Sequence, residues 1–271
     1  ALPEVSKTYE SNVKGLYIVG ALGGYPLIKQ AINQGYEVIE FINGNTDLDP
    51  ADEPLITETL KDIKNFDNET FLKEIRTRLP IFKELNPLMK RSMLVESRVT
   101  APSDGTIIFE RGDYTNSVYT IFRGSVKVQT NEDDPSQQVV LKQGAFFGEV
   151  GLISGRRRSA TILSNADDTI LIETPRRTMM KLREDVSSLR KSMYKEAIVR
   201  QIQTYIASSL DIDAIHKLAE SASIENFRKG KVLFNEGDEG DALYLISKGS
   251  VMVSKQIGGK EITLAYVAAG N

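Results

Sequence analysis

The feature that most constrains the fold is an internal repeat. "GTIIFERGDYTNSVYTIFRGSVKV" at 105–128 returns as "GKVLFNEGDEGDALYLISKGSVMV" at 230–253, a constant offset of 125 residues. Gly105/Gly230, Phe109/Phe234, Gly112/Gly237, Asp113/Asp238, Tyr119/Tyr244, Gly124/Gly249, Ser125/Ser250 and Val126/Val251 coincide. The runs between the glycines are rich in β-branched and aromatic residues, so the glycines read as turns between short strands. A repeat of this length is a duplicated domain rather than a solenoid unit. The same texture runs from Thr100 to Thr174 ("QVVLKQGAFFG" is another example) and predicts an all-β barrel or jelly roll.

Helical spacing flanks the β region. Leu55, Ile56, Leu60, Ile63, then Phe71, Leu72, Ile75, Leu79 precede it, with Pro80 and Pro87 breaking the pattern into short helices. Met179, Leu182, Val186, Leu189, Met193, Ile198 and Ile202 follow it. Residues 43–54, "NGNTDLDPADEP", are acidic, contain proline and lack periodicity, as a linker does. Before them "LYIVGAL" predicts a buried strand, Gly23 and Gly24 a turn, and Pro26 the first turn of a helix carrying Ile28, Ile32, Gly35, Ile39 and Ile42. The fold class is therefore α+β: β-rolls flanked by helices, with a short N-terminal strand–helix segment.

Composition narrows the chemistry. The 271-residue chain has no cysteine, which excludes disulfides, thiolate nucleophiles and zinc–thiolate sites within it. His216, the one histidine, cannot form a multi-histidine metal site. A net charge of -3 gives no global reason to expect nucleic acid as partner. No apolar run reaches the roughly eighteen residues that span a bilayer, so no membrane is expected and a reducing cytoplasm fits. "NEGDEGD" at 235–241 lacks calcium-loop spacing and is read as a hairpin turn.

The chemistry concentrates in Phe147–Thr161, "FGEVGLISGRRRSAT". Gly148 ends a strand where the backbone must approach something closely. Glu149–Ser154 can make one or two helical turns, whose first amides lack internal partners. An arginine just beyond can pair bidentately with a phosphate. An acid beside a phosphate is better explained as an acceptor for sugar hydroxyls, and Gly151 leaves room for a ribose. Arg156 and Arg157 are read as solvated, and Arg158, directly before "SAT", as the ligand residue. "RRRS" also fits a basophilic kinase site, a reading discounted because the serine lies inside the segment.

This segment resembles the phosphate-binding cassette of the cyclic nucleotide-binding domain family, which runs F-G-E-x-[AG]-L, several residues, then R-[STA]-A. Here that is Phe147, Gly148, Glu149, Gly151, Leu152, then Arg158, Ser159, Ala160. The resemblance covers about 70–190 fully and about 200–271 partially. It implies that Glu149 accepts from the ribose 2′-hydroxyl and Arg158 pairs with the cyclic phosphate. It also implies that Gly148 and the amides of Gly151 and Leu152 line phosphate and sugar, and that Ser159 bonds phosphate or base. Val150 completes the cassette, and Val139 and Leu141 are expected apolar walls for the base. Tyr194 or Tyr205 is a candidate cap. Serine at 159 is compatible with cyclic AMP, the expected ligand, and does not exclude cyclic GMP. The implied function is a regulatory cyclic nucleotide-binding module transmitting binding to an effector attached in the same chain, with homodimerisation expected. A transcription factor would require a helix-turn-helix where a second roll follows. A kinase regulatory subunit also uses tandem copies, but no arginine-rich inhibitory segment precedes the first one.

Residues 14–42 carry a second resemblance, to the last strand–helix of FAD-dependent pyridine nucleotide oxidoreductases of the thioredoxin-reductase type, with Ala21 in place of the acid after the glycine. It implies a parent enzyme holding FAD, gated by cyclic nucleotide, with no FAD bound by this chain. The expected division is 1–42 oxidoreductase-like remnant, 43–68 acidic linker and helix start, and 69–190 first cyclic nucleotide-binding domain. Residues 191–210 are then a connecting helix and 211–271 a partial second domain, because the counterpart of Gly148–Glu149 would fall just past Asn271.

Overall fold

The computed structural model describes residues 3, 5–6, 8–23, 28–46, 48–114, 116–129, 138–155, 157–205 and 212–268. A 3-10 turn at Gly20–Gly23 leads to α1 (Ile28–Ile42). Then come α2 (Glu53–Leu60), α3 (Asn68–Arg78) and α4 (Pro87–Glu96). Proline places two of these starts: Pro54 lies in the first turn of α2, and Pro87 opens α4, where a missing N–H costs nothing. Side chains cap the other free amides: Asp67 accepts from Thr70 N at 2.7 Å, and Asn86 from Met89 N at 2.8 Å.

The β region forms two four-stranded antiparallel sheets. One has the order β1 (Arg98–Thr100), β8 (Ile170–Pro175), β3 (Ser117–Arg123), β6 (Phe146–Phe147). The other runs β2 (Ile107–Phe109), β7 (Thr161–Ser164), β4 (Ser125–Gln129), β5 (Gln138–Lys142). Period-two alternation divides the apolar residues between two cores. Val118, Phe122, Ile170 and Ile172 face the helices, in one cluster with Phe71, Phe82, Met93 and Leu189. Ile121, Leu171 and Phe147 face the roll interior with Val126 and Ile162. Phe71 stacks on Phe122 with ring centroids 4.1 Å apart, which locks the helical layer to the first sheet. The helix-side core draws on residues from Ile56 to Met193.

After a short α5 (Glu149–Ser154) inside the roll, α6 (Arg176–Asp185), α7 (Ser187–Tyr205) and α8 (Ile212–Ser221) lead to the second copy. The second copy, expected to be partial, holds fewer strands than the first. Among the described residues of 222–268 only one hairpin forms, β9 (Ser250–Ile257) with β10 (Lys260–Ala268). The first copy explains this. β2 pairs with β7, and β3 pairs with β6 and β8. At the repeat offset none of these three partners has an equivalent among the described residues. Only the β4–β5 pair has both equivalents within the chain, and that is the hairpin observed. The turn glycines keep their conformation in both copies: Gly124 and Gly249 have φ of +77° and +87°, a region that side chains rarely enter.

The N-terminal segment corrects a second expectation. "LYIVGAL" forms no strand: Tyr17 makes an isolated bridge to Glu10, and Gly20–Gly23 is a 3-10 turn. A strand needs neighbours along its length, and none is supplied here. The segment docks instead through Val5, Tyr9, Val38 and Leu88, with Gln34 accepting from the Gly20 amide at 2.7 Å. Gly24 and Pro26 lie outside the described residues. Among the described residues no helix is long and apolar enough to cross a membrane.

Candidate functional site

The segment 147–160 is held between the two sheets and α7. Phe147 ends β6 inside the roll, with its ring parallel to that of Tyr119 at 5.2 Å. Gly148 follows at φ +85° and caps α5. A Cβ there would lie 2.2 Å from Nη1 of Arg158, so the close approach expected of this glycine is to the arginine itself. Gly151 and Leu152 are buried on α5.

Arg158 is 6% exposed. Nη1 donates to Gly148 O at 3.1 Å, and Nη2 to Ser117 O at 3.0 Å and Ser117 Oγ at 3.3 Å. Its guanidinium lies 4.1 Å from the centroid of Phe109 and 5.6 Å from that of Tyr119. Its backbone is fixed by the repeated Gly-Asp turn: Gly112 N donates to Arg158 O, and Arg158 N to Asp113 O, both at 2.9 Å. Nε is buried and has no acceptor. Burial lowers the arginine's pKa below the ordinary value, against the pull of nearby Tyr119 and Glu173.

Glu149 is fully buried. Oε2 accepts from Arg200 Nη1 at 2.8 Å, while Oε1 has no partner. Burial raises its pKa, and the Arg200 charge opposes that. Arg200 sits on α7 and also donates from Nη2 to Phe146 O. The acid therefore ties the cassette to the helix leading toward the second copy. Tyr119 is pushed up to about 12, first by burial and then by Glu173.

The expected residues gather unevenly. Phe147, Glu149, Gly151, Leu152, Arg158 and Ala160 are all buried at one place, with Gly148 half-buried among them, and Val150 lies on α5. Leu141 packs on the roll cluster, whereas Val139 is 40% exposed. Ser159 is exposed. Arg157 is exposed but not merely solvated: it donates to Gly112 O at 2.9 Å and Tyr114 Oη at 2.8 Å, and lies over the Tyr114 ring. Arg156 and the Tyr205 side chain lie outside the described residues. Tyr194 is occupied by Arg183, whose guanidinium lies 5.5 Å from its ring centroid.

Sequence reasoning missed Arg200, Phe109 and Tyr119. The aromatic pair had a signal, since both are repeat positions: the Phe109 and Tyr119 ring centroids are 5.6 Å apart, and those of Phe234 and Tyr244 6.0 Å. Arg200 had none, being one arginine among many.

Residues 103–185 and 224–271 match the family model for the cyclic nucleotide-binding domain. The cAMP-dependent protein kinase regulatory subunit of Candida albicans is 26% identical over 187 residues, 69% of this chain and 39% of that protein. That of Dictyostelium discoideum is 30% identical over 162 residues, 56% of this chain and 46% of that protein. The chain thus spans less than half the length of these relatives. A co-crystal structure of the regulatory domain of Toxoplasma gondii PKA with cAMP aligns with 76% of this chain and 80% of that one, at 22% identity and a TM-score of 0.42. Both copies of the repeat thus match the cyclic nucleotide-binding domain family.

Proposed function

We propose that the first roll binds a cyclic nucleotide, with cyclic AMP the expected ligand, and reports its occupancy through α7. The observation carrying this reading is a pair of buried, unsatisfied polar atoms in one short segment: Glu149 Oε1, an acceptor, and Arg158 Nε, a donor. Buried polar groups are almost always paired. A ribose 2′-hydroxyl donates to the first and a cyclic phosphate accepts from the second. The phosphate also competes for the Nη donors now given to the Gly148 and Ser117 carbonyls. Gly148, Val150, Gly151 and Leu152 follow the sugar and phosphate, with Phe147 and Ala160 behind them. Leu141 and Val139 flank the base, and Ser159 bonds phosphate or base once the loop closes.

A hydroxyl on Oε1 draws charge from a carboxylate that Arg200 shares through Oε2, so ligand and helix act on the same group. The output is regulatory. The relatives are kinase regulatory subunits by name, which favours a separate kinase catalytic partner. An effector attached in the same chain and a homodimer remain the other arrangements, in a cytoplasmic setting. The division adopted is a first domain over 69–190, a connecting helix over 191–210 and a second domain from 211. The flavin-oxidoreductase alternative for 1–42 has no observation in its favour, since the strand on which that resemblance rests is not formed.

Titration calorimetry with cyclic AMP and cyclic GMP tests the reading. Saturable heat with at least one of them, abolished in Arg158→Ala, is expected. No heat with either at millimolar concentration overturns it.

A further inference from the structure

Away from the cassette, a groove of about 840 Å³ opens between α1, the segment 45–53, and helices α2 to α4. Phe41, Leu48, Leu55, Leu72, Leu88 and Val95 give it apolar walls. The acids of its lining are mostly engaged. Glu37 accepts from Tyr9 Oη and from Ala51 N at 3.0 Å. Asp52 and Glu53 hold Arg91, at 2.5 and 2.6 Å. Glu69 pairs with Lys73 at 2.9 Å, and Glu96 accepts from Thr178.

Lys90 is the exception. It lines the groove from α4 and is 8% exposed. Among the described residues no carboxylate or hydrogen-bond acceptor meets its ammonium, and the one charge felt there is the like charge of Arg76. Lys90 buries its aliphatic stem and lines the groove without a counter-charge, so this wall favours an anionic over a neutral occupant.

We propose that this groove is a second ligand site, taking a small amphipathic anion whose carboxylate or phosphate head pairs with Lys90 while its apolar body fills the space between α1 and α4. Burial, and then Arg76, hold Lys90 below the usual lysine range, so an anion entering the groove also relieves an unfavourable charge. Because α1 forms one wall and α4 the other, occupancy fixes the N-terminal segment to the helices that support the first roll.

The test is calorimetry of the whole chain with octanoate, octyl phosphate and octanol, with and without saturating cyclic AMP. An octanoate or octyl phosphate signal that persists when cyclic AMP is saturating, and exceeds that of octanol by on the order of tenfold or more in affinity, supports the site. The stronger of the two anions identifies the head group. Lys90→Met should remove that preference and leave octanol unchanged, and Lys90→Arg should retain it, which guards against a variant that fails to fold. Equal binding of octanol and the anions, no binding of any, or an undiminished preference in Lys90→Met overturns the proposal.

Discussion

The Glu149–Arg200 pair offers the most discriminating stability test. Replacing Arg200 by Met keeps an unbranched apolar stem on α7 but leaves the Glu149 carboxylate fully buried without its counter-charge. Breaking a buried pair in this way costs about 3–5 kcal/mol. Arg200 itself is 21% exposed, which places the expected loss near the lower end. The loss also depends on pH, with a definite sign. Burial already raises the pKa of folded Glu149 above its ordinary value of 4.5, and removing Arg200 raises it further. An acid whose folded pKa lies above its unfolded one costs stability as pH rises through the unfolded pKa toward the folded one. The penalty of Arg200→Met should therefore be small near pH 3, where Glu149 is protonated in both states, and much larger at pH 8. Urea unfolding followed by circular dichroism at both pH values measures it, and the double variant with Glu149→Gln should recover most of the loss. A penalty under about 0.5 kcal/mol at pH 8, the size of an ordinary surface change, or one independent of pH, would refute the reasoning.

Arg158→Ala should weaken cyclic nucleotide binding by roughly 2–5 kcal/mol, read by calorimetry, since the phosphate loses its buried partner. Gly148→Ala should destabilise the chain by about 1–3 kcal/mol in the same urea assay, because φ there is +85° and the new Cβ meets Arg158 at 2.2 Å. Tyr119, held up to about 12, should stay un-ionised near pH 11 while exposed tyrosines titrate. The difference in absorbance at 295 nm between wild type and Tyr119→Phe reads this directly, and Tyr119 should erode stability as pH rises above 10. Val139→Ala should change stability by under about 0.5 kcal/mol, because the side chain is 40% exposed.

The legible part of the fold was the part written locally. Turn glycines and β-branched runs marked the strands, and positive φ at both Gly124 and Gly249 shows why the repeat kept glycine there. The cassette was legible for the same reason: Gly148, Glu149 and Arg158 lie within eleven residues, and their chemistry points to one ligand. The partner of Glu149 was not legible, because Arg200 reaches it from a helix packed across the roll. "LYIVGAL" has the composition of a strand but, among the described residues, only the isolated bridge from Tyr17 to Glu10. The second copy shows the same lesson: Phe234 and Tyr244 lie against each other at nearly the distance of their counterparts, yet stay 63% and 44% exposed without strands to cover them.

The pairing scheme also sets an order of events in folding. In the first roll β4 and β5 join neighbours in sequence, whereas Ile107 waits for Leu163 and Arg98 for Glu173. Contacts between distant residues form late, after the entropy of a long loop has been lost. During synthesis the β4–β5 hairpin should therefore form before the pairs that need β7 and β8, which hydrogen-exchange labelling during refolding would check. Phe147, Glu149 and Arg158 all precede β8, so the binding segment is synthesised before the barrel around it exists and takes its geometry in the final step of closure.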